Sequence, residues 1–402
     1  VITGLGVRTP IGNDFDTVSS ALQEQRSGVI AVDWPGVYGM RNRVGGRVHG
    51  VERRDFARKK VRSVGRLGLL ASAASRDAVD DSGLAQEELS SGRVGLTYGS
   101  THGSSSELES YCRMLFVDDT LQGIPGSQYL KFMSHTVAAN LAEFFSLRGR
   151  VQPTCSACTS GSQAIGLAYE YLLAGVQDVM ICGGAEELHF VAAAVFEVMY
   201  AASSKYNDEP NATPRPFDRR RDGVVIGEGA ATLVLERRER AEARGAKIYG
   251  EILGYATTCD GVHLTSPSPG GMAACMREGL VSAGLDRAQV DFVNAHGTGT
   301  ELGDIAESQA TYEVMGSDVP FATQKSYTGH TLGACGAIET VFSLAMMRDQ
   351  FLAVNRNLDE VDPRCASLNY LRGATLAADP RIVMNNNFAF GGINTTLLLG
   401  RE

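Results

Sequence analysis

Two eight-residue stretches, Gly229–Glu236 (GAATLVLE) and Ile393–Gly400 (INTTLLLG), repeat one apolar pattern, each after glycine-rich sequence. A short apolar run bounded by glycine or polar residues is the mark of a strand covered on both faces. Similar runs stand at 93–100 (RVGLTYGS), 178–184 (DVMICGG) and 289–295 (QVDFVNA). Between them lie helix candidates. Residues 159–175 put Ile165, Ala168, Tyr169 and Leu172 on one face, and 337–349 do the same with Ile338, Val341, Phe342 and Ala345. Residues 236–247 (ERRERAEARGAK) read as a charged, exposed helix, after which 248–255 opens a new strand much as 1–6 opens the first. The pattern predicts an α/β protein of two duplicated βα halves, residues 1–240 and 241–402, with the seam near residue 240.

A chain of 402 residues is too long for one small core, which agrees with two such units. With 44% hydrophobic and 21% charged residues, no apolar stretch of spanning length and no charged-then-apolar leader, it reads as an ordinary globular protein of the cytosol with no membrane role. A net charge of −9 argues against nucleic acid as the main partner. An acidic partner would therefore need a local basic patch. Eight cysteines, several in apolar or glycine-rich settings such as Cys182 and Cys335, form no disulfide framework.

One of them stands apart. Cys158, in 152–166 (QPTCSACTSGSQAIG), sits where a polar approach turns into a small-residue helix. A helix start favours the thiolate, and Thr159, Ser160, Gly161 and Ser162 let a substrate come close to free amide groups. Cys155 completes a C-x-x-C with Cys158, so redox or zinc chemistry is an alternative, though no second C-x-x-C or close histidine pair supports it. His296 and His330 each follow a strand and enter a glycine-rich turn, where α/β folds gather function. A histidine in such a turn can equally be a hydrogen-bonded structural residue. Thr298 and Thr300 could hold an amide-bearing arm, Lys325 could orient a histidine or carboxylate, and Asp304 and Glu307 are capping or supporting carboxylates at a helix start.

These segments together, VITGLG at 1–6, SACTSG at 156–161, KYNDEP at 205–210, RPFDRRRDG at 215–223, IGEGA at 226–230, HGTGTELGD at 296–304, KSYTGHTLGACG at 325–336 and NNNFAFGGIN at 385–394, make the chain resemble the elongating (type I and II) β-ketoacyl-acyl-carrier-protein synthases. That family belongs to the thiolase-fold condensing enzymes. The resemblance implies a five-layered α-β-α-β-α arrangement and a decarboxylative Claisen condensation of an acyl chain with malonyl-acyl-carrier protein. It makes Cys158 the nucleophile and gives His296 and His330 the malonyl carbonyl and its enolate. Lys325 and Glu307 match the supporting lysine and glutamate, with Asp304 beside them; Thr298 and Thr300 match the threonines that touch phosphopantetheine. Phe388, Phe390, Gly391 and Gly392 match the oxyanion and gating stretch. No metal and no tightly bound cofactor are implied, since the pantetheine arm arrives on the acyl carrier protein.

Relatives of type III use Cys-His-Asn, and chain-length factors lack the cysteine; this chain has both histidines and Cys158. The resemblance implies either a homodimer in fatty-acid elongation or the catalytic ketosynthase of a type II polyketide or polyene system, paired with a chain-length-factor homologue. Departures lean toward the second. Ala389 replaces a glycine and so restricts the loop backbone, Asn387 stands for serine, Ile393 for threonine, and His102 occupies a place near the acyl pocket that suits an unsaturated chain. Arg58, Lys59, Arg62 and Arg66 supply the basic patch; Arg58, Arg62 and Arg66, four apart, are expected on one helical stripe where relatives dock their carrier protein.

Overall fold

The computed structural model describes residues 1–34 and 39–401. Its first sheet contains β1 (Ile2–Arg8), β2 (Val94–Gly99), β3 (Val151–Thr154), β4 (Val179–Glu186) and β5 (Gly229–Glu236), in the order β1-β5-β4-β2-β3. The second contains β6 (Glu251–Cys259), β7 (Phe292–Asn294), β8 (Pro320–Ala322), β9 (Ile382–Phe388) and β10 (Ile393–Gly400), in the order β6-β10-β9-β7-β8, with the two-residue strand Asn369–Tyr370 added at the β8 edge. Strand for strand the two orders agree. In each sheet the first two pairings are antiparallel and the next two parallel. The two stretches that echo each other in sequence are β5 and β10, and they hold the same place in their sheets.

Helices α1 (Arg66–Ser82) and α2 (Thr136–Phe145) cover the outer face of the first sheet, and α3 (Ser160–Leu173) lies on its inner face. Helices α4 (Pro269–Ala283) and α5 (Glu301–Met315) cover the second sheet from outside, while α6 (Cys335–Asp349) lies beside α3 between the sheets. This is the expected five-layered, thiolase-like arrangement. Its central core joins both halves: Ile165 and Leu172 of α3, Val341 and Phe342 of α6, Leu233 of β5 and Leu397 of β10 belong to one cluster. Strands with both faces covered must be apolar throughout, which is why these read as continuous runs rather than alternations.

Three local expectations change. The exposed helix over 236–247 shrinks to Arg238–Ala243, because Glu236 ends β5 with its carboxylate buried and ion-paired to Arg240 and Arg244. The following strand begins only at Glu251. Arg58 and Arg62 do not share a helical stripe with Arg66: α1 starts at Arg66, and residues 58–63 form turns.

Candidate active site

The nucleophile segment is built by a tight turn between β3 and α3. Ala157 takes a left-handed backbone (φ +48°), a costly conformation for a residue with a side chain. It throws Cys158 onto the 3₁₀ turn Ala157–Thr159 that leads into α3. The second half repeats the device, with Leu332 at φ +46° opening the turn Leu332–Ala334 ahead of α6. Cys158 is buried, and that burial pushes its thiol up to about 12, outweighing the pull of Lys325. The helix start therefore does not leave a resting thiolate, contrary to the expectation from placement alone. Loss of water costs the charged sulfur more than the helix terminus returns.

His330 brings Nε2 to 3.0 Å from the Cys158 sulfur. The Leu332 amide donates to His330 Nδ1 at 3.3 Å, so Nδ1 carries no proton and Nε2–H points at the sulfur. The His296 ring stands edge-on to His330, centroids 5.1 Å apart, and edge-on to Phe388 at 6.3 Å. Burial, then the Lys325 charge, then His330 hold His296 well below the ordinary imidazole value; burial and Lys325 do the same to His330. Both rings are neutral donors.

Behind them, Lys325 Nζ lies 2.5 Å from Glu339 Oε1, with both side chains nearly inaccessible. Burial alone would lower the ammonium, yet Glu339 raises it above its usual value, so the charge persists. Glu339 was not singled out from the sequence, because it follows Ile338 and looks like the polar side of an amphipathic helix. In the structure α6 is buried all round from Cys335 to Met347, which no local sequence pattern records. A carboxylate inside such a helix requires a partner.

Glu307 supports the site from behind the His296 turn. It accepts the amides of His296 (2.6 Å) and Gly297 (2.7 Å), fixing that turn. Gly297 has φ +39°, and a Cβ there would meet Thr323 and Phe217, so only glycine fits. Asp304, fully buried, accepts the Phe217 and Gly299 amides and faces Arg221, another side chain the sequence did not flag.

A cavity of about 610 Å³ reaches from the surface to Cys158, His296 and His330, and is lined along its way by Thr298, Thr300, Phe388 and Phe390. Thr298 and Thr300 hydroxyls lie 3.0 Å apart. Phe390 is 37% exposed and stacks near Phe196, while Gly391 (φ +88°) and Gly392 (φ +71°) supply the left-handed turn that follows. Ala389 keeps a negative φ, so the extra methyl brings no backbone strain in this conformation. His102 does not line this cavity. Its ring is used locally, Nδ1 at 2.9 Å from the Gly103 carbonyl and Nε2 at 3.2 Å from Ser105 Oγ.

Of the basic patch, Arg58, Lys59 and Arg62 are exposed. Arg66 is not available for docking: it bonds Glu228 at 2.7 Å and the Val48 and Val51 carbonyls. Cys155 is exposed and donates to the Thr101 carbonyl at 3.0 Å, forming no disulfide with Cys158. Among the described residues, the cluster with metal-ligating atoms close enough to share an ion is Cys158, His296 and His330, all within 4.8 Å.

Residues 1–241 match the sequence model of the beta-ketoacyl synthase N-terminal domain, and 249–359 that of the C-terminal domain. The chain is 36% identical over 402 residues to 3-oxoacyl-[acyl-carrier-protein] synthase 1 of Haemophilus influenzae, covering all of this chain and 98% of the relative. It superposes on a crystal structure of a beta-ketoacyl synthase from Burkholderia phymatum with TM-score 0.96 and 47% identity, over 100% of this chain and 99% of the other. The ishigamide ketosynthase/chain length factor structure is similar at TM-score 0.93 and 31% identity, over 100% and 98%.

Proposed function

Because the chain belongs to the β-ketoacyl synthase family, we propose that its site joins an acyl group carried on Cys158 to a malonyl unit delivered on acyl carrier protein, releasing CO2. The observation that carries this reading is one sulfur and two neutral imidazoles within 4.8 Å at the floor of a cavity open to the surface.

The chemistry follows from protonation states. Cys158 attacks the acyl thioester; its sulfur bonds the acyl carbon, the pantetheine sulfur leaves, and the proton lost by Cys158 ends on that leaving thiol. His330 already has its proton on Nε2, so it stabilises the developing thiolate rather than removing the proton. A malonyl thioester then enters past Thr298 and Thr300, its carbonyl oxygen accepting from His296 and His330. Loss of CO2 leaves the bonding pair as an enolate, which bonds the acyl carbon and expels the Cys158 thiolate. Donors placed at a developing oxyanion are worth a few kcal/mol each, and neutral imidazoles suit a step that needs no strong base. The Cys158 and Phe390 amides serve the second oxyanion, and Asp304 and Glu307 hold the histidine turn. Lys325 and Glu339 keep a fixed charge behind the rings.

The carrier protein docks on Arg58, Lys59 and Arg62. A second subunit, the same chain or a homologous chain-length factor, covers the β3 edge, where Val151 is exposed. Among the described residues no helix is long and apolar enough to cross a membrane. A second reading, polyketide or polyene extension, is favoured by the likeness to the ishigamide ketosynthase/chain length factor. One experiment separates them: native mass spectrometry after incubation with malonyl- and acyl-loaded carrier proteins, using saturated and conjugated acyl chains. An acyl mass on the Cys158 peptide and a two-carbon β-keto extension are expected. No acylation of Cys158 would overturn the proposal, and equal turnover of both chain types would remove the second reading.

A further inference from the structure

Strand β9 carries three consecutive asparagines, and the two-residue period of a strand sends Asn385 and Asn387 to the same face, toward the central helices. Asn385 donates to the Gly336 carbonyl and to Thr340 of α6, whereas Asn386 accepts from Thr396 on the neighbouring strand. Asn387, fully buried, touches three parts of the machinery. Its Nδ2 donates to Glu339 Oε2 at 2.7 Å and lies 3.5 Å from His296 Nδ1, while its Oδ1 accepts from the Ser162 hydroxyl of α3.

The orientation of the amide is not arbitrary. Turned over, Asn387 would set its oxygen against the Glu339 carboxylate and its nitrogen against the Ser162 hydroxyl, losing an ionic hydrogen bond for an acceptor–acceptor contact. With Nδ2 facing His296, Nδ1 of that ring can only accept, because an amide nitrogen has no lone pair to offer. The proton must then be on Nε2, the arrangement that the Leu332 amide imposes on His330. Resting on the function proposed above, we infer that Asn387 is a positioning residue: through an amide oriented by Glu339 and Ser162, it fixes His296 as an Nε2–H donor to the malonyl oxygen.

Three carboxyl or amine groups bear on the same spot, Glu339 and Lys325 from the central layer and Glu307 below the His296 turn, and none donates to Nδ1. Removing the Asn387 donor therefore frees the tautomer without unseating the ring. Asn387→Leu, which preserves size, should lower the kcat of malonyl-thioester decarboxylation on the order of 10- to 100-fold. KM and the rate of Cys158 self-acylation, which does not use His296, should stay within about 2-fold. Asn387→Ser, still a donor, should recover part of the loss. A decarboxylation rate in Asn387→Leu within 2-fold of wild type, or equal losses in both half-reactions, would overturn the inference. Should that variant fail to fold, ¹⁵N NMR of histidine-labelled wild-type protein decides, since a His296 ring protonated on Nδ1 contradicts it. Wild-type protein that neither acylates nor decarboxylates would instead sink the proposed function itself.

Discussion

At the scale of single residues, burial decides the charge of every group in the site. The two histidines are neutral because the interior offers no water to an imidazolium, and Lys325 is charged only because Glu339 meets it at 2.5 Å. This has a thermodynamic consequence. An unfolded histidine titrates near 6.5, while folded His296 stays neutral well below that, so its contribution to stability is complete above pH 6.5 and is lost on acidification. The difference in unfolding free energy between wild type and His296→Asn should grow as pH rises from about 5 to 6.5, by at most about 1.4 kcal/mol per unit, and level off above. Chemical denaturation at a series of pH values reads it; a pH-independent difference would mean the ring is charged or solvated. A buried carboxyl whose value burial raises acts in the opposite sense. Glu307, pushed up to about 8 by burial against the pull of two amides, favours the folded state at low pH and loses that contribution as pH rises through its folded value.

At the scale of elements, the halves are joined by close approach of α3 to the second sheet. A Cβ on Gly166 would lie 2.2 Å from the ring of Tyr255 on β6, a residue only 7% exposed. Gly166→Ala should therefore destabilise the protein by about 1–3 kcal/mol, even though alanine is the better helix former. Tyr255→Leu in the same chain should recover part of that loss in urea unfolding. Strict additivity would show that the helix and strand do not press on each other. The sequence reading placed α3 and α6 within two residues at each end, since each carries an apolar face of helical period. Helical period alone does not mark Glu339, whose burial depends on a strand 40 residues and more away.

At the scale of the whole molecule, the charge distribution sets how partners arrive. An acidic protein of net charge −9 repels an acidic carrier unless positive side chains gather somewhere, and Arg58, Lys59 and Arg62 do so on exposed turns. Arg62→Glu should raise the KM for carrier-bound substrate about 5-fold at low salt and less at high salt, leaving turnover of a small malonyl thioester unchanged. A flat KM would move the docking surface elsewhere. Arg66 shows how far spacing alone can be pushed: four residues beyond Arg62, it turns inward because Glu228, from the other end of the first half, needs a counter-charge. The sequence by itself determined the repeated strands, the helices behind them and the glycine-rich turns that hold Cys158, His296 and His330, because these follow from local period and backbone freedom. Only the tertiary structure decided which carboxylate faces Lys325, which arginine is free and whether the thiol is ionised. Those depend on groups far apart in the chain meeting where water is absent, and no local pattern records that.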